Sequence, residues 1–300
     1  MFISKVKYSF SVLALGTACA LAPGMAHADH AWGPYHWART TSQFTLKLGN
    51  NLTTNQTNIQ WTPLLGAVST DWNSPTNIAE FTPILTASYT GQSTKRTCSM
   101  VKGTTQVCNG KYGNNGWLGL ATINIVNGVH ITQGSAKMND TYFNLAKYNN
   151  INMKRHVICQ EIAHTFGLHH QSEDGTSLNT CMDYFSNTGA NATSTLSTRP
   201  NAHDFDQLNI IYEHLDDTTT VAAVSSLASS GVDITNDPAS WGQLVSQSVG
   251  GRSSIYERYN SDGSQTLTHV YWTIEAASDC PSCDHRYDNP GMKIIFELSK

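Results

Sequence analysis

The stretch CQEIAHTFGLHH, residues 159–170, constrains this chain more tightly than any other. Ile158, Ile162 and Phe166 recur at i, i+4 spacing and predict a helix over 151–166 with one apolar stripe turned to a core. Gly167 is placed to end it, because glycine takes the left-handed conformation at a helix end without steric cost. Gln160 and His164 then stand one turn apart on one face, where both can reach the same ion. Glu161 is rotated about the axis, so its carboxyl can address a water on that ion without binding the ion itself. Past the break at Gly167, His170 arrives from another direction. Three protein ligands with an open fourth position are the pattern of a catalytic rather than a structural zinc site. The competing reading is an ordinary buried helix with a few histidines. An acid, a breaking glycine and a further histidine at fixed spacing weigh against it.

Gln160 can take a ligand's place. Its amide oxygen is a neutral donor, as a ligating imidazole is. The charge that lets a metal bring a bound water to a pKa near about 7 is therefore unchanged. Donor strength falls, because imidazole nitrogen suits zinc better than an amide oxygen. His156 is no substitute, since it lies about 12 Å along the helix axis from His164 and one ion cannot bridge both. It reads as a surface or packing histidine. His169 competes with His170 by adjacency.

The amino terminus reads as a targeting segment. Lys5 and Lys7 open it, Tyr8 to Ala22 form a mostly apolar run, and Ala26-His27-Ala28 is a small-x-small cleavage pattern. The run is too short and interrupted to span a membrane. A secreted protein beginning near Asp29 is expected. Of seven cysteines, Cys19 leaves with this segment. Cys98, Cys108, Cys159, Cys181, Cys280 and Cys283 remain for an oxidising compartment, where about 15 pairings are open to them. Nearest-neighbour logic favours Cys98–Cys108, Cys159–Cys181 and Cys280–Cys283. A redox or metal role for Cys280-Pro-Ser-Cys283 with His285 is the weaker reading. The net charge of −4 and the scarcity of charged residues, 13%, give no clustered basic surface for nucleic acid. Sequons stand at Asn51, Asn55, Asn139 and Asn191.

Residues 29–60 read as an entry strand with loops, and 61–97 as short strands broken by Pro63, Pro75 and Pro83. GWLGLATINIV, 116–126, predicts a strand with Leu118, Leu120, Thr122, Asn124 and Val126 on one side, ended by Gly128. VHIT continues after a turn. A second helix is expected over about 204–215, from Phe205, Leu208, Ile211 and Tyr212. After a Thr/Ser/Ala-rich linker, SIYERYNSDGSQTLTHVYWTIE alternates and turns at Asp262-Gly263, as a β-hairpin does. The expected organisation is a signal peptide over 1–28, a main domain over 29–220, and a linker with a β-hairpin over 221–300.

With these residues in place the chain resembles the metzincin metallopeptidases, whose extended zinc motif it matches at Glu161, His164, Gly167 and His170. The family's methionine turn beneath the metal corresponds to CMDYF, with Met182 in that role. Tyr184, two residues on, corresponds to a tyrosine that lines the site in some members. More closely, the chain resembles secreted microbial metzincin-like proteins in which Gln replaces the first His. That likeness rests on CNGKYGNNGWLGLATI, HITQGSAKMNDTYFN, CQEIAHTFGLHHQ, TCMDY and PNAHDFDQL, with YERYNSDGSQTLTHVYW further on. Gln171 after His170 is not a letter that marks the better-known subfamilies.

The resemblance implies an α+β fold: a twisted mixed sheet, an active-site helix, a methionine turn and a C-terminal helix, then a small β-rich segment. It implies one catalytic Zn2+ held by Gln160, His164 and His170, with Glu161 as general base and Tyr184 as a donor to the oxyanion. Strand 118–126 would form the cleft edge along which a protein or peptide substrate lies. The function expected is that of a secreted zinc endopeptidase. The rival is a non-catalytic secreted metal-binding or protein-binding module on the same scaffold. Glu161 argues against the rival, because metal binding alone gives no reason for a carboxylate there.

Overall fold

The computed structural model describes residues 30–74, 83–90, 98–222 and 237–286. The segment read as a signal peptide lies outside the described residues, as do residues 223–236 of the linker. In chain order the elements are β1 (His36–Trp37), β2 (Phe44–Asn51), α1 (Trp61–Asn73), β3 (Leu85–Thr90), β4 (Thr104–Gly110), β5 (Trp117–Val126) and β6 (His130–Asn139). Then come α2 (Asp140–Phe143), α3 (Ile151–His164), α4 (Ala202–Ile211), β7 (Gln243–Gln247), β8 (Ser253–Tyr259), β9 (Gln265–Trp272) and α5 (Ile274–Asp279).

The strands form one sheet in the order β3-β2-β4-β6-β5-β9-β8-β7, with β1 added beside β6. The pairs among β1, β2, β3, β4 and β6 are parallel, and those made by β5, β7, β8 and β9 are antiparallel. The protein is thus α+β with a mixed sheet. β5 and β6 meet through Asn127 and Gly128, both at positive φ (53° and 77°). Asn and Gly tolerate that conformation, and it matches the twist of a tight hairpin.

α3 starts where the Asn150 side chain accepts from the Met153 N–H at 2.8 Å, satisfying one orphan donor of the first turn. Gly167, at φ 100°, ends the run, and a Cβ there would collide with the Tyr35 carbonyl. Val157, Ile158, Ile162 and Phe166 are fully buried, each worth about 1.5–3 kcal/mol of apolar burial. α4 opens with a capping box between Asn201 and Asp204, and it ends four residues short of the expected Leu215.

Two expectations are corrected. Residues 61–73 form a helix, not broken strands. Pro63 sits in its first turn, where a missing N–H costs nothing, and Leu64, Leu65, Val68 and Trp72 are buried at helical spacing. Strand 118–126 is not a free cleft edge. β5 is paired on both sides, with β6 and with β9.

That second pairing joins the C-terminal hairpin to the sheet of the main domain. β8 and β9 run antiparallel around the Asp262-Gly263 turn, as the alternation predicts. Trp241, Tyr256, Val270 and Trp272 pack with Trp117 and Leu120 in a second apolar cluster, while Leu118 belongs to the main core. A bulge between Trp117 and Gly119 is what sends Leu118 and Leu120 to different cores. Cys98–Cys108, Cys159–Cys181 and Cys280–Cys283 are disulfides. Among the described residues no helix is long and apolar enough to cross a membrane.

Candidate metal centre

α3 carries Gln160, Glu161 and His164 into the interior, and all three are almost completely buried. Beyond Gly167 the chain turns so that His170 meets His164, and their Nε2 atoms stand 3.0 Å apart. The other ring nitrogens are spoken for. His164 Nδ1 donates to the Leu168 carbonyl at 2.8 Å, and His170 Nδ1 lies 2.8 Å from Glu173 Oε1. A carbonyl can only accept, so the neutral His164 ring carries its proton on Nδ1 and presents a bare Nε2 lone pair. Two nitrogens on one zinc ion, at bond lengths of about 2.0–2.1 Å, stand about 3.3 Å apart. The pair is therefore set at close to the spacing that a shared ion requires, and each ring has the outer partner typical of a ligating histidine.

A third imidazole comes from the far end of the chain. His269 on β9 lies opposite Ala121 of β5, and one of its ring nitrogens lies within 4.8 Å of ligand atoms of His164 and His170. Its Nδ1 is 3.4 Å from Glu161 Oε2, and its Nε2 is 3.1 Å from the Tyr184 hydroxyl. Sequence reasoning missed His269. The available signal was the hairpin's alternation, which sets His269 between Leu267 and Tyr271 on a core-facing side. Burial, reinforced by the neighbouring histidines, holds His164, His170 and His269 well below the ordinary imidazole value. All three stay neutral, the form in which imidazole binds metal.

Gln160 is anchored rather than loose. Its amide nitrogen donates to the Cys181 and Asp183 carbonyls at 2.9 and 3.0 Å, across the turn that contains the buried Met182. Its Oε1 is buried and has no hydrogen-bond partner among the described residues. The Cys159–Cys181 disulfide joins the same helix to the same turn. An oriented, unsatisfied amide oxygen is what a ligand role demands, since such an atom otherwise costs about 1–3 kcal/mol. His156 is a packing residue and not a surface one, held between Asn187 Oδ1 and the Asp183 carbonyl at 2.9 Å each.

Glu161 Oε1 is likewise buried without a partner among the described residues. Burial pushes the carboxyl well above its usual range. The Tyr184 ring lies 4.7 Å from the His170 ring, and burial raises its hydroxyl well above the ordinary phenol value. Trp32 closes the site from the entry segment, its ring edge-on to His164 at 5.6 Å and its backbone N–H donated to the Gly167 carbonyl at 2.7 Å. The sequence-expected Glu161, His164, His170 and Tyr184 thus converge, while Gln160 is fixed beside them through the turn at Met182.

No protein-family model, curated protein or solved structure matches this chain. What fold and site define together is an α+β protein, braced by disulfides, with a buried histidine centre whose donors stand within metal-binding distance.

Proposed function

We propose that the chain is a secreted, zinc-dependent endopeptidase of metzincin-like build, seen with its cleft covered by the C-terminal hairpin. The carrying observation is the facing Nε2 pair of His164 and His170 beside the buried Glu161 carboxyl, whose Oε1 has no hydrogen-bond partner among the described residues. His164 Nε2 is bare, and a His170 ring that donates from Nδ1 to the Glu173 carboxylate presents a bare Nε2 as well, a pairing that a shared cation satisfies and packing alone does not. The donor set, two or three imidazoles with an amide oxygen, suits zinc better than calcium or magnesium.

His164 and His170 would hold the ion, with the Gln160 amide oxygen completing the grip. A bound zinc ion supplies Lewis-acid polarisation of a carbonyl and acidification of water. Glu161 accepts the proton of the attacking water and returns it to the leaving amine. Burial favours that task, because a carboxylate of raised pKa is a stronger base. Tyr184 is within reach of the same space and can donate to a developing oxyanion. The three disulfides suit an exported protein.

β9 indicates how an extended segment fits this centre, since it runs antiparallel along β5 with a side chain directed at the histidines. A substrate on the same edge would have to displace it. This supports a second reading, a metal-binding module without turnover, in which His269 is a permanent ligand. Zinc content by elemental analysis, with cleavage of an unfolded protein mixture by wild type and Glu161→Ala, separates the readings. The peptidase predicts bound zinc in both proteins and a loss of about 10²–10⁴-fold in cleavage for the variant. Equal activity would defeat the role of Glu161, and zinc without cleavage in either would favour the module.

A further inference from the structure

A second histidine cluster lies away from this centre and shares no residue with it. It forms where the entry segment meets the chain leaving α4. His36 of β1 and Asp216 come from opposite ends of the main domain, and His36 Nε2 lies 3.3 Å from Asp216 Oδ1. His214 adds a third donor, with its Nε2 3.2 Å from His36 Nε2 and 3.8 Å from Asp216 Oδ1. We propose that His36, His214 and Asp216 form a second, independent metal-binding site that takes zinc or a metal of similar preference.

The argument rests on where lone pairs point. His36 Nδ1 is 2.8 Å from the Pro34 carbonyl, which can only accept. The neutral ring therefore carries its proton on Nδ1 and leaves Nε2 bare. That lone pair faces a second imidazole nitrogen and a carboxylate oxygen at the same time. A neutral His214 can answer the first contact by donating its Nε2–H to that lone pair. The 3.3 Å contact of His36 Nε2 with Asp216 Oδ1 has no proton to share while the His36 ring is neutral, whereas a cation at the centre answers both contacts. The spacings of 3.2, 3.3 and 3.8 Å bracket the edge of about 3.3 Å expected for ligands around one zinc ion.

The supporting bonds have the form found around metal carboxylates. His130 Nε2 lies 3.1 Å from Asp216 Oδ1, and the Arg39 N–H donates to Asp216 Oδ2 at 2.9 Å, so the carboxylate is held in one orientation. Two imidazoles and one carboxylate are a zinc-type donor set, too poor in oxygen for calcium. The fourth position opens on a cleft of about 540 Å³, whose walls include His36, His130, His214 and Asp216. Water or a small anionic ligand fits there. The ion would also tie β1 to the segment after α4, beside the Asp216 N–H donated to the Arg39 carbonyl at 2.8 Å.

The test is zinc stoichiometry by equilibrium dialysis on the full chain. His214 is half exposed (51%), so His214→Ala, which leaves no donor atom at that position, is expected to fold and to bind one zinc fewer than wild type. The difference is read whether or not the first centre binds, so failure of that centre and failure of this one are distinguishable. His130→Ala, which removes a bond to the carboxylate and a ring contact with His36, is expected to keep the site at about 10- to 100-fold weaker affinity. Equal stoichiometry in wild type and His214→Ala would overturn the proposal and leave a histidine–aspartate hydrogen-bond cluster. If His214→Ala fails to fold, cobalt(II) titration of wild type followed by NMR decides. Broadening of the His36 and His214 ring signals supports the site, and sharp signals at saturation overturn it.

Discussion

Gly119 on β5 faces Glu161 on α3 so closely that the smallest side chain would not fit between them. A Cβ there would stand 2.7 Å from Val157 Cγ1 and nearer still to Glu161 Oε1. The strand thus gives up a side chain so that the carboxyl can sit where it does. Gly119→Ala is expected to push the Glu161 carboxyl aside at a cost in stability of about 1–3 kcal/mol. Cleavage should fall by more than about tenfold, with zinc content unchanged, because no proposed ligand is touched. Normal cleavage by a folded Gly119→Ala protein would mean that the carboxyl's position does not matter.

Gln160 carries two loads, and a substitution separates them. Its amide nitrogen answers two turn carbonyls, and its oxygen is the proposed ligand. An imidazole is the better zinc donor but has a single N–H to offer while it ligates. Gln160→His is therefore expected to tighten zinc binding while lowering the thermal midpoint, since one buried carbonyl loses its donor at a cost of about 1–3 kcal/mol. Competition with a chelator and a thermal melt read the two effects. Weaker zinc binding would remove Gln160 from the ligand set.

The Cys159–Cys181 bridge clamps α3 to the turn through residues adjacent to Gln160 and Met182. A Cys159→Ser, Cys181→Ser double variant is expected to lose about 3 kcal/mol of stability. It should also bind zinc more weakly, because rigid positioning lowers the cost of ordering the ligands. Unchanged zinc affinity would confine the disulfide to stability alone.

The parts of this architecture written in local pattern were legible. α3 announces itself through the 158/162/166 stripe and the glycine stop. The C-terminal hairpin announces itself through alternation around Asp262-Gly263. α1 was hidden because Pro63 reads as a breaker unless one knows that it falls in a first turn. β5's second partner and His269 were hidden for a different reason. Strand pairing is a long-range relationship, and nothing local in residues 116–126 says that residues 265–272 will lie beside them. The cluster at His36, His214 and Asp216 likewise joins positions close together only after folding.

Lys154 gives a pH test away from both histidine clusters. Its Nζ is buried beneath the Trp61 ring and donates to Thr57 Oγ1 at 2.7 Å and to the Ile59 carbonyl at 3.0 Å. Burial lowers its pKa from 10.5 to about 8, partly opposed by Asp140. Between about pH 8 and the unperturbed value of 10.5, the unfolded chain keeps a proton that the folded chain has lost. Stability from this group therefore rises with pH across that window, and the cost of the buried charge is fully present below it. Urea denaturation of wild type and Lys154→Met at pH 7.5 and 9.5 should show the gap shifting in favour of wild type at the higher pH. A gap independent of pH would mean that Lys154 keeps its charge throughout.

His269 decides what the hairpin does to the proposed active centre. The ring packs 3.9 Å from His164 and 4.8 Å from His170, centroid to centroid, and contacts both Glu161 and Tyr184. If the peptidase reading holds, removing it should weaken zinc binding, since one donor would be lost, and at the same time free Glu161 and Tyr184, the proposed base and oxyanion donor. His269→Ala is thus expected to bind zinc less tightly yet to cleave an unfolded protein faster than wild type when zinc is saturating. Unchanged zinc affinity would exclude His269 as a donor. Abolished cleavage would place it in the catalytic machinery, and the hairpin would then be part of the active site rather than its cover.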